Sequence, residues 1–146
     1  MKLSTKGRYG MRAMLDIAQH YHEGLVLVKD VAARQQISER YLEQLCLTLK
    51  TAGLVKSTRG SRGGFTLTRS PEKIKLIDII RVCEGPLALV DCINDATVCS
   101  RSSRCAARDV WSELQSAMDS ILSSKTLQDL IESQELKEEQ NASASV

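Results

Sequence analysis

The chain has 146 residues, enough for one ordinary domain or two small ones and enough to bury a core without disulfide staples. It is 42% hydrophobic and 26% charged, as soluble globular proteins are, and no apolar run reaches the ~18 residues of a membrane span. Aromatic residues make up only 3%, which argues against a single-strand binder built on stacked rings.

The net charge of +2 hides an asymmetry. Residues 1–70 carry 12 Lys and Arg against 5 Asp and Glu, a net of +7, and residues 71–146 carry 8 against 13, a net of −5. A basic first half and an acidic second half point to a polyanion partner for the first half only. The first ten residues are polar and basic, unlike a secretory signal, so the expected location is the cytoplasm. Five cysteines in such a setting read as metal ligands, redox groups or buried thiols rather than disulfides.

In chain order, residues 5–21 read as a first helix, with Met11, Met14, Leu15 and Ala18 on one face. Ser4 or Thr5 supplies its cap and Gly24 follows its end. Residues 28–34 make a short second helix, and Gln35, Gln36 and Ile37 a tight connection. Ser38 then caps a third helix reaching about Thr51. That helix turns Leu42, Leu45, Cys46 and Leu49 inward, and Glu39, Arg40, Glu43, Gln44 and Lys50 outward. Residues 54–57 and 65–68 read as two short strands. Between them Arg59, Gly60, Ser61, Arg62, Gly63 and Gly64 form a flexible, basic hairpin tip.

This order predicts a mainly α fold with a small β-hairpin wing, a winged helix-turn-helix. Its third helix would enter a DNA major groove, and an arginine at the wing tip would reach a narrow minor groove. The same arrangement also serves protein-binding modules, but the +7 charge favours nucleic acid.

Ser70-Pro71-Glu72 opens a second region. Residues 76–83 read as a helix with Ile77 and Ile80 on one side, ended by Gly85-Pro86, and residues 87–104 as a loop. A longer helix over residues 106–122 places Val110, Leu114, Ala117 and Ile121 in a stripe that Trp111 and Met118 widen. So broad an apolar face predicts pairing with a second copy of the chain; packing on the first helix is the alternative. Thr126 caps a short helix through Leu130 and Ile131, and the polar stretch beyond is expected to be disordered. The expected organisation is a DNA-binding domain (1–70), a cysteine loop with a dimerisation helix (71–131), and a disordered tail (132–146).

Six residues separate Cys92 from Cys99, and five separate Cys99 from Cys105. Thiolates are soft ligands for iron–sulfur clusters, zinc or copper(I). Zinc knuckles space their pairs by two to four residues, so these wider gaps fit a loop wrapped round a cluster. Arg101, Arg104 and Arg108 offer charge balance or hydrogen bonds to sulfur. A structural zinc, a thiol redox switch or plain free thiols remain the alternatives. Cys46 and Cys83 fall on buried helix faces, and His20 and His22 at the end of the first helix read as surface residues. No histidine stands in a nucleophile–base arrangement and no glycine loop precedes a helix to cradle phosphate, so an enzyme is not expected.

The opening stretch Met1 to Gly10, Ile37-Ser38 with Tyr41-Leu42-Glu43-Gln44-Leu45, Gly53-Leu54-Val55, and the glycine–arginine wing resemble the Rrf family of bacterial winged-helix transcriptional regulators. The three cysteines followed by Trp111 resemble its iron–sulfur, IscR-type members, and the likeness covers residues 1–131. The resemblance implies a homodimer crossing its long helices at Val110, Trp111, Leu114, Ala117, Met118 and Ile121. It implies a 2Fe–2S or 4Fe–4S cluster on Cys92, Cys99 and Cys105 that controls binding to double-stranded operator DNA. It also implies base contacts from Ser38, Arg40, Tyr41, Glu43 and Gln44, and minor-groove contact from Arg59 on the wing with Gly60, Ser61 and Arg62. Cluster-free members that sense cysteine metabolism lack this triad, which sets that reading aside. In IscR-type members a histidine three residues after the last cysteine completes the cluster; here Arg108 stands there, and arginine stays protonated. Where nitric-oxide-sensing members use an acid on the partner's first helix, this chain has Arg8 and Arg12. An exogenous thiol, water or a nearby acid among Asp16, Asp91, Asp95 and Asp109 is then the expected fourth ligand.

Overall fold

Helix α1 (Thr5–Gln19) is the axis of the molecule, with Ala13, Met14, Ile17 and Ala18 at its centre, each at most 3% exposed. The computed structural model describes residues 2–60 and 63–145. Ser4 caps α1, its Oγ accepting from the Gly7 N–H at 3.1 Å. A 3-10 turn at Tyr21–Glu23 follows the helix. Helix α2 (Val28–Gln35) ends at Gln36, which holds a left-handed φ of 55° and lets the chain turn sharply into α3 (Glu39–Thr51). The inward face of α3 is the expected one, with Leu42, Leu45, Cys46 and Leu49 buried.

Strands β1 (Val55–Thr58) and β2 (Gly64–Leu67) pair antiparallel, with Val55 opposite Leu67 and Thr58 opposite Gly64. The hairpin is tied to the segment before α2 by reciprocal Val26–Phe65 backbone hydrogen bonds of 2.8 Å. This approach needs Gly64, since a Cβ there would lie 2.5 Å from the Val26 carbonyl oxygen.

Helix α4 (Leu76–Glu84) crosses α1 closely because Gly7 and Gly10 carry no side chain. A Cβ at Gly7 would run into Glu84 Oε1, and one at Gly10 into Cys83 Sγ. Glu84 Oε1 also accepts from the Ser4 N–H (2.9 Å) and hydroxyl (2.6 Å), joining the start of α1 to the end of α4. The last part of the chain returns to the same core. The Leu76 N–H donates to the Lys125 carbonyl and the Leu127 N–H to the Ile74 carbonyl, both at 3.0 Å. Leu127 and Ile131 pack with Ile74, Leu76 and Ile79 against α1.

Two stretches differ from their sequence reading. Residues 87–104 hold α5 (Asp91–Asn94) and 3-10 turns at Ala96–Val98 and Ser102–Arg104, not a plain loop. The tail, expected to be disordered from residue 132, continues α7 (Leu127–Ala144) as helix. A Thr126–Asp129 capping box starts α7, and Gln128–Glu132 (3.2 Å) and Gln134–Glu138 (3.0 Å) pair along it. Its Glu, Gln, Lys and Ala residues are good helix formers, so a composition that reads as disorder equally supports an exposed helix. Between the two stretches runs α6 (Ala106–Ser124), packed on α4 and α5.

Candidate nucleic-acid interface and cysteine loop

The Ser38 Oγ accepts from the Tyr41 N–H at 3.1 Å, so this residue caps α3 while its backbone stands at the surface. Arg40, Glu43 and Gln44 are exposed along the same helix. Tyr41 is half-buried, its ring edge-on to Tyr9 with centroids 5.7 Å apart. The Arg8 and Arg12 guanidinium groups lie 5.8 and 5.4 Å from the Tyr9 centroid. Arg12 is further occupied at the end of α2, donating to the Gln35 side-chain oxygen (3.2 Å) and to the Gln35 carbonyl. The chain thus brings the basic first half of α1 beside α3, a juxtaposition that the sequence did not suggest. The only sign was the spacing of Arg8 and Arg12, one helical turn apart. On the wing, Arg59 and Gly60 are exposed, Gly60 with a φ of +110°, and the Gly63 N–H donates to the Gly60 carbonyl at 2.9 Å. Ser61 and Arg62 lie outside the described residues.

The geometry of the helix-turn-helix rests on an ion pair that periodicity did not reveal. Asp16 is 1% exposed and sits on the α2 side of α1. Arg34 donates to it through Nη2 (2.7 Å to Oδ1) and Nε (3.0 Å to Oδ2), and Gln35 Nε2 adds a bond of 3.0 Å to Oδ2. The hydrogen bond to Asp16 is the main cause that raises the Arg34 pKa above its ordinary value. His20 Nδ1 donates to the Asp16 carbonyl at 2.8 Å. Asp16 is therefore committed to α2 and is removed from the candidate metal ligands, because a carboxylate held by three donors has no oxygen to spare. His22 is exposed.

The three loop cysteines are free thiols. Cys92 is half-buried in α5, Cys99 is exposed, and Cys105 is half-buried at the N-cap of α6. Among the described residues no group of three His, Cys, Asp or Glu side chains lies close enough to hold a metal ion. Arg108, where the resemblance to IscR-type members led a histidine to be expected, donates from Nε to the Cys92 carbonyl at 2.9 Å and so clamps α5 to the start of α6. Asp95 caps the next turn, accepting from the Thr97 N–H (2.9 Å) and hydroxyl (2.6 Å), and these bonds hold its pKa below the usual carboxylate value. Burial pushes the Cys46 thiol up to about 12 and raises Cys83 as well, so both are protonated core side chains.

On α6 the stripe expected to pair with a second copy is open to solvent. Val110 is 52%, Trp111 40%, Leu114 40% and Ile121 57% exposed. Ala117 is also exposed, and Met118 is half-buried against a groove lined by Leu3, Leu87 and Leu89.

Comparison with known proteins agrees with this architecture. The family model Rrf2, described as an iron-dependent transcriptional regulator, matches residues 3–133. The transcriptional regulator CymR of Bacillus subtilis (strain 168) is 43% identical over 130 residues, covering 89% of each chain. Its solved structure, described as that of the global cysteine regulator, superimposes with a TM-score of 0.78 over 90% of this chain and 97% of that one. The transcriptional regulator IscR of Aliivibrio salmonicida (strain LFI1238) is 38% identical over 149 residues, covering 100% of this chain and 88% of its own. The structure of T. potens IscR matches at 44% identity with a TM-score of 0.75, over 91% of this chain and 88% of that one. No helix among the described residues is long and apolar enough to cross a membrane. The hairpin wing, the capped third helix and these matches along nearly the whole chain show that it belongs to the Rrf2 family of winged-helix, DNA-binding transcriptional regulators.

Proposed function

We propose that the chain is a homodimeric regulator whose affinity for operator DNA is set by an iron–sulfur cluster on Cys92, Cys99 and Cys105. The observation that carries this reading is that the three free thiols lie in the segment from α5 to the N-cap of α6, the helix that exposes the Val110–Ile121 stripe. The donor set suits such a group in kind, since soft thiolates are its usual ligands. The thiols stand apart in this structure, so the segment from α5 to Cys105 has to draw together around the group. When bound, the cluster supplies iron chemistry responsive to oxygen, nitric oxide or iron scarcity.

The chain's own residues do the rest. Arg108 holds the Cys92 backbone through the hydrogen bond from its Nε to the Cys92 carbonyl. Asp16 is engaged with Arg34 and Gln35, so the remaining acids for a fourth ligand are Asp91, Asp95, whose two bonds from Thr97 use one oxygen only, and Asp109, with water or an exogenous thiol beside them. Ser38, Arg40, Tyr41, Glu43 and Gln44 meet the major groove, where glutamine suits adenine and arginine suits guanine or phosphate, and the wing bearing Arg59 to Arg62 meets the minor groove. The α6 stripe closes the dimer, so two recognition helices meet two half-sites.

CymR, described as a global cysteine regulator, and IscR relatives match about equally well, so overall likeness does not choose between a cluster sensor and a regulator of another kind. The exposed Cys99 favours, as a second reading, a redox switch on the same DNA-binding frame. Replacing Cys92, Cys99 and Cys105 together by alanine separates the two. A cluster sensor loses its visible colour and changes operator selection under anaerobic conditions, whereas a thiol switch loses only its response to peroxide or diamide. Unchanged DNA affinity and unchanged iron content would contradict the cluster. Arg59→Ala checks the DNA frame, with an expected loss of ~1–3 kcal/mol at a specific site.

A further inference from the structure

A polar cavity opens where α4, α5 and α6 meet. Arg81 of α4 and Asp119 of α6 border it, with Asn94 at the end of α5 and the hydroxyls of Ser112 and Ser116 alongside. Among the described residues, neither Arg81 nor Asp119 is in an ion pair. Its wall includes Gln115, only 6% exposed, a polar side chain whose burial is costly unless it is satisfied. Gln115 is satisfied at both ends. Its Oε1 accepts from the Leu89 N–H and its Nε2 donates to Asp119 Oδ1, each at 3.1 Å. One Asp119 oxygen is thereby fixed, and the other has no partner among the described residues.

A cation and an anion that border one cavity without neutralising each other suit a ligand that carries both charges. A simple anion there would meet Asp119 and a simple cation would meet Arg81, so each charge selects against half of the alternatives. We propose that this cavity binds a small α-amino acid, its carboxylate on Arg81 and its ammonium group on Asp119. The planar guanidinium suits a carboxylate, and the hydroxyls and Asn94 supply neutral hydrogen bonds. Leu87 and Ile93 make the remaining wall apolar, so the ligand's own side chain is short and uncharged. By helical periodicity the cavity uses the face of α6 opposite the Val110–Ile121 stripe, which leaves it open when that stripe is covered. Ile93 and Asn94 follow Cys92 in α5, so the site described is that of the chain with its three thiols free.

The test is calorimetric titration of the full chain with L-alanine and L-serine, beside acetate and ethylamine as the two half-ligands. The expected result is saturable 1:1 binding of at least one amino acid, with no binding of either half-ligand at the same concentration. Arg81→Gln and Asp119→Asn, on different helices and checked for unchanged circular dichroism, should each weaken binding at least about tenfold. Absence of saturable binding by both amino acids at millimolar concentration would overturn the proposal. So would binding that survives both substitutions, or acetate binding as tightly as the amino acids.

Discussion

Replacing Asp16 by alanine should loosen the helix-turn-helix and lower the stability of the whole chain. Asp16 is 1% exposed and takes hydrogen bonds from both the Arg34 guanidinium and the Gln35 carboxamide. Removing one partner of a buried ion pair costs ~3–5 kcal/mol, chiefly because the other charge is left stranded. Here the Arg34 side chain is 40% exposed and can turn to water, which lowers the expected cost to about 2–3 kcal/mol. At ~2–4 °C per kcal/mol for a chain of this size, Tm falls by roughly 5–10 °C. Thermal unfolding followed by circular dichroism measures it. Arg34→Met should cost more than Asp16→Ala, because it strands a carboxylate that is only 1% exposed, and the double variant should cost less than the two together, since the interaction can be lost only once. Operator affinity should fall with Asp16→Ala too, because Gln35 and the left-handed Gln36 set how α3 leaves α2. A Tm change under about 2 °C, or fully additive single costs, would refute the argument.

The α1–α4 crossing gives a second expectation: Gly10→Ala destabilises by ~1–2 kcal/mol despite its helix propensity, and Cys83→Ala in the same chain recovers most of it, because the new Cβ runs into Cys83 Sγ. Urea midpoints of the four chains read this directly; a Gly10→Ala variant more stable than the parent contradicts it. A thiol reagent should modify Cys92, Cys99 and Cys105 in the native cluster-free chain, and Cys46 and Cys83 only after denaturation. The Cys46 thiol ionises near its ordinary 9.0 when unfolded and about 12 when folded, so its contribution to stability is complete below pH 9 and is lost as pH rises through that window. A urea midpoint whose alkaline fall is the same in Cys46→Ala would contradict that sign. Ile121→Glu, placing charge on a residue 57% exposed, should leave the fold intact and convert a dimer to monomer in sedimentation velocity; an unchanged dimer would move the interface elsewhere.

Much of this architecture is legible because it rests on local rules. Ser38 before a 3.6-residue apolar period marks α3, and glycines between two short alternating runs mark the wing. What stayed hidden depends on partners far along the chain. Asp16 occupies a buried place in α1, and nothing near it in sequence points to Arg34, 18 positions later. Gln115 likewise reads as a polar break in an apolar helix until Leu89 and Asp119 appear as its partners. The tail was ambiguous for another reason, since Glu, Gln, Lys and Ala raise both polarity and helix propensity. The cysteine triad is visible as a donor set, but spacing alone does not bring thiols together, and in the structure they lie on separate turns.

The most direct test of the cluster reading is the iron, sulfide and zinc content per chain of protein purified without oxygen. The account predicts iron with matching sulfide, lost when Cys92, Cys99 and Cys105 are replaced, and the ratio per chain separates a 2Fe–2S from a 4Fe–4S group. Zinc in their place, or three free thiols and no metal, would contradict it.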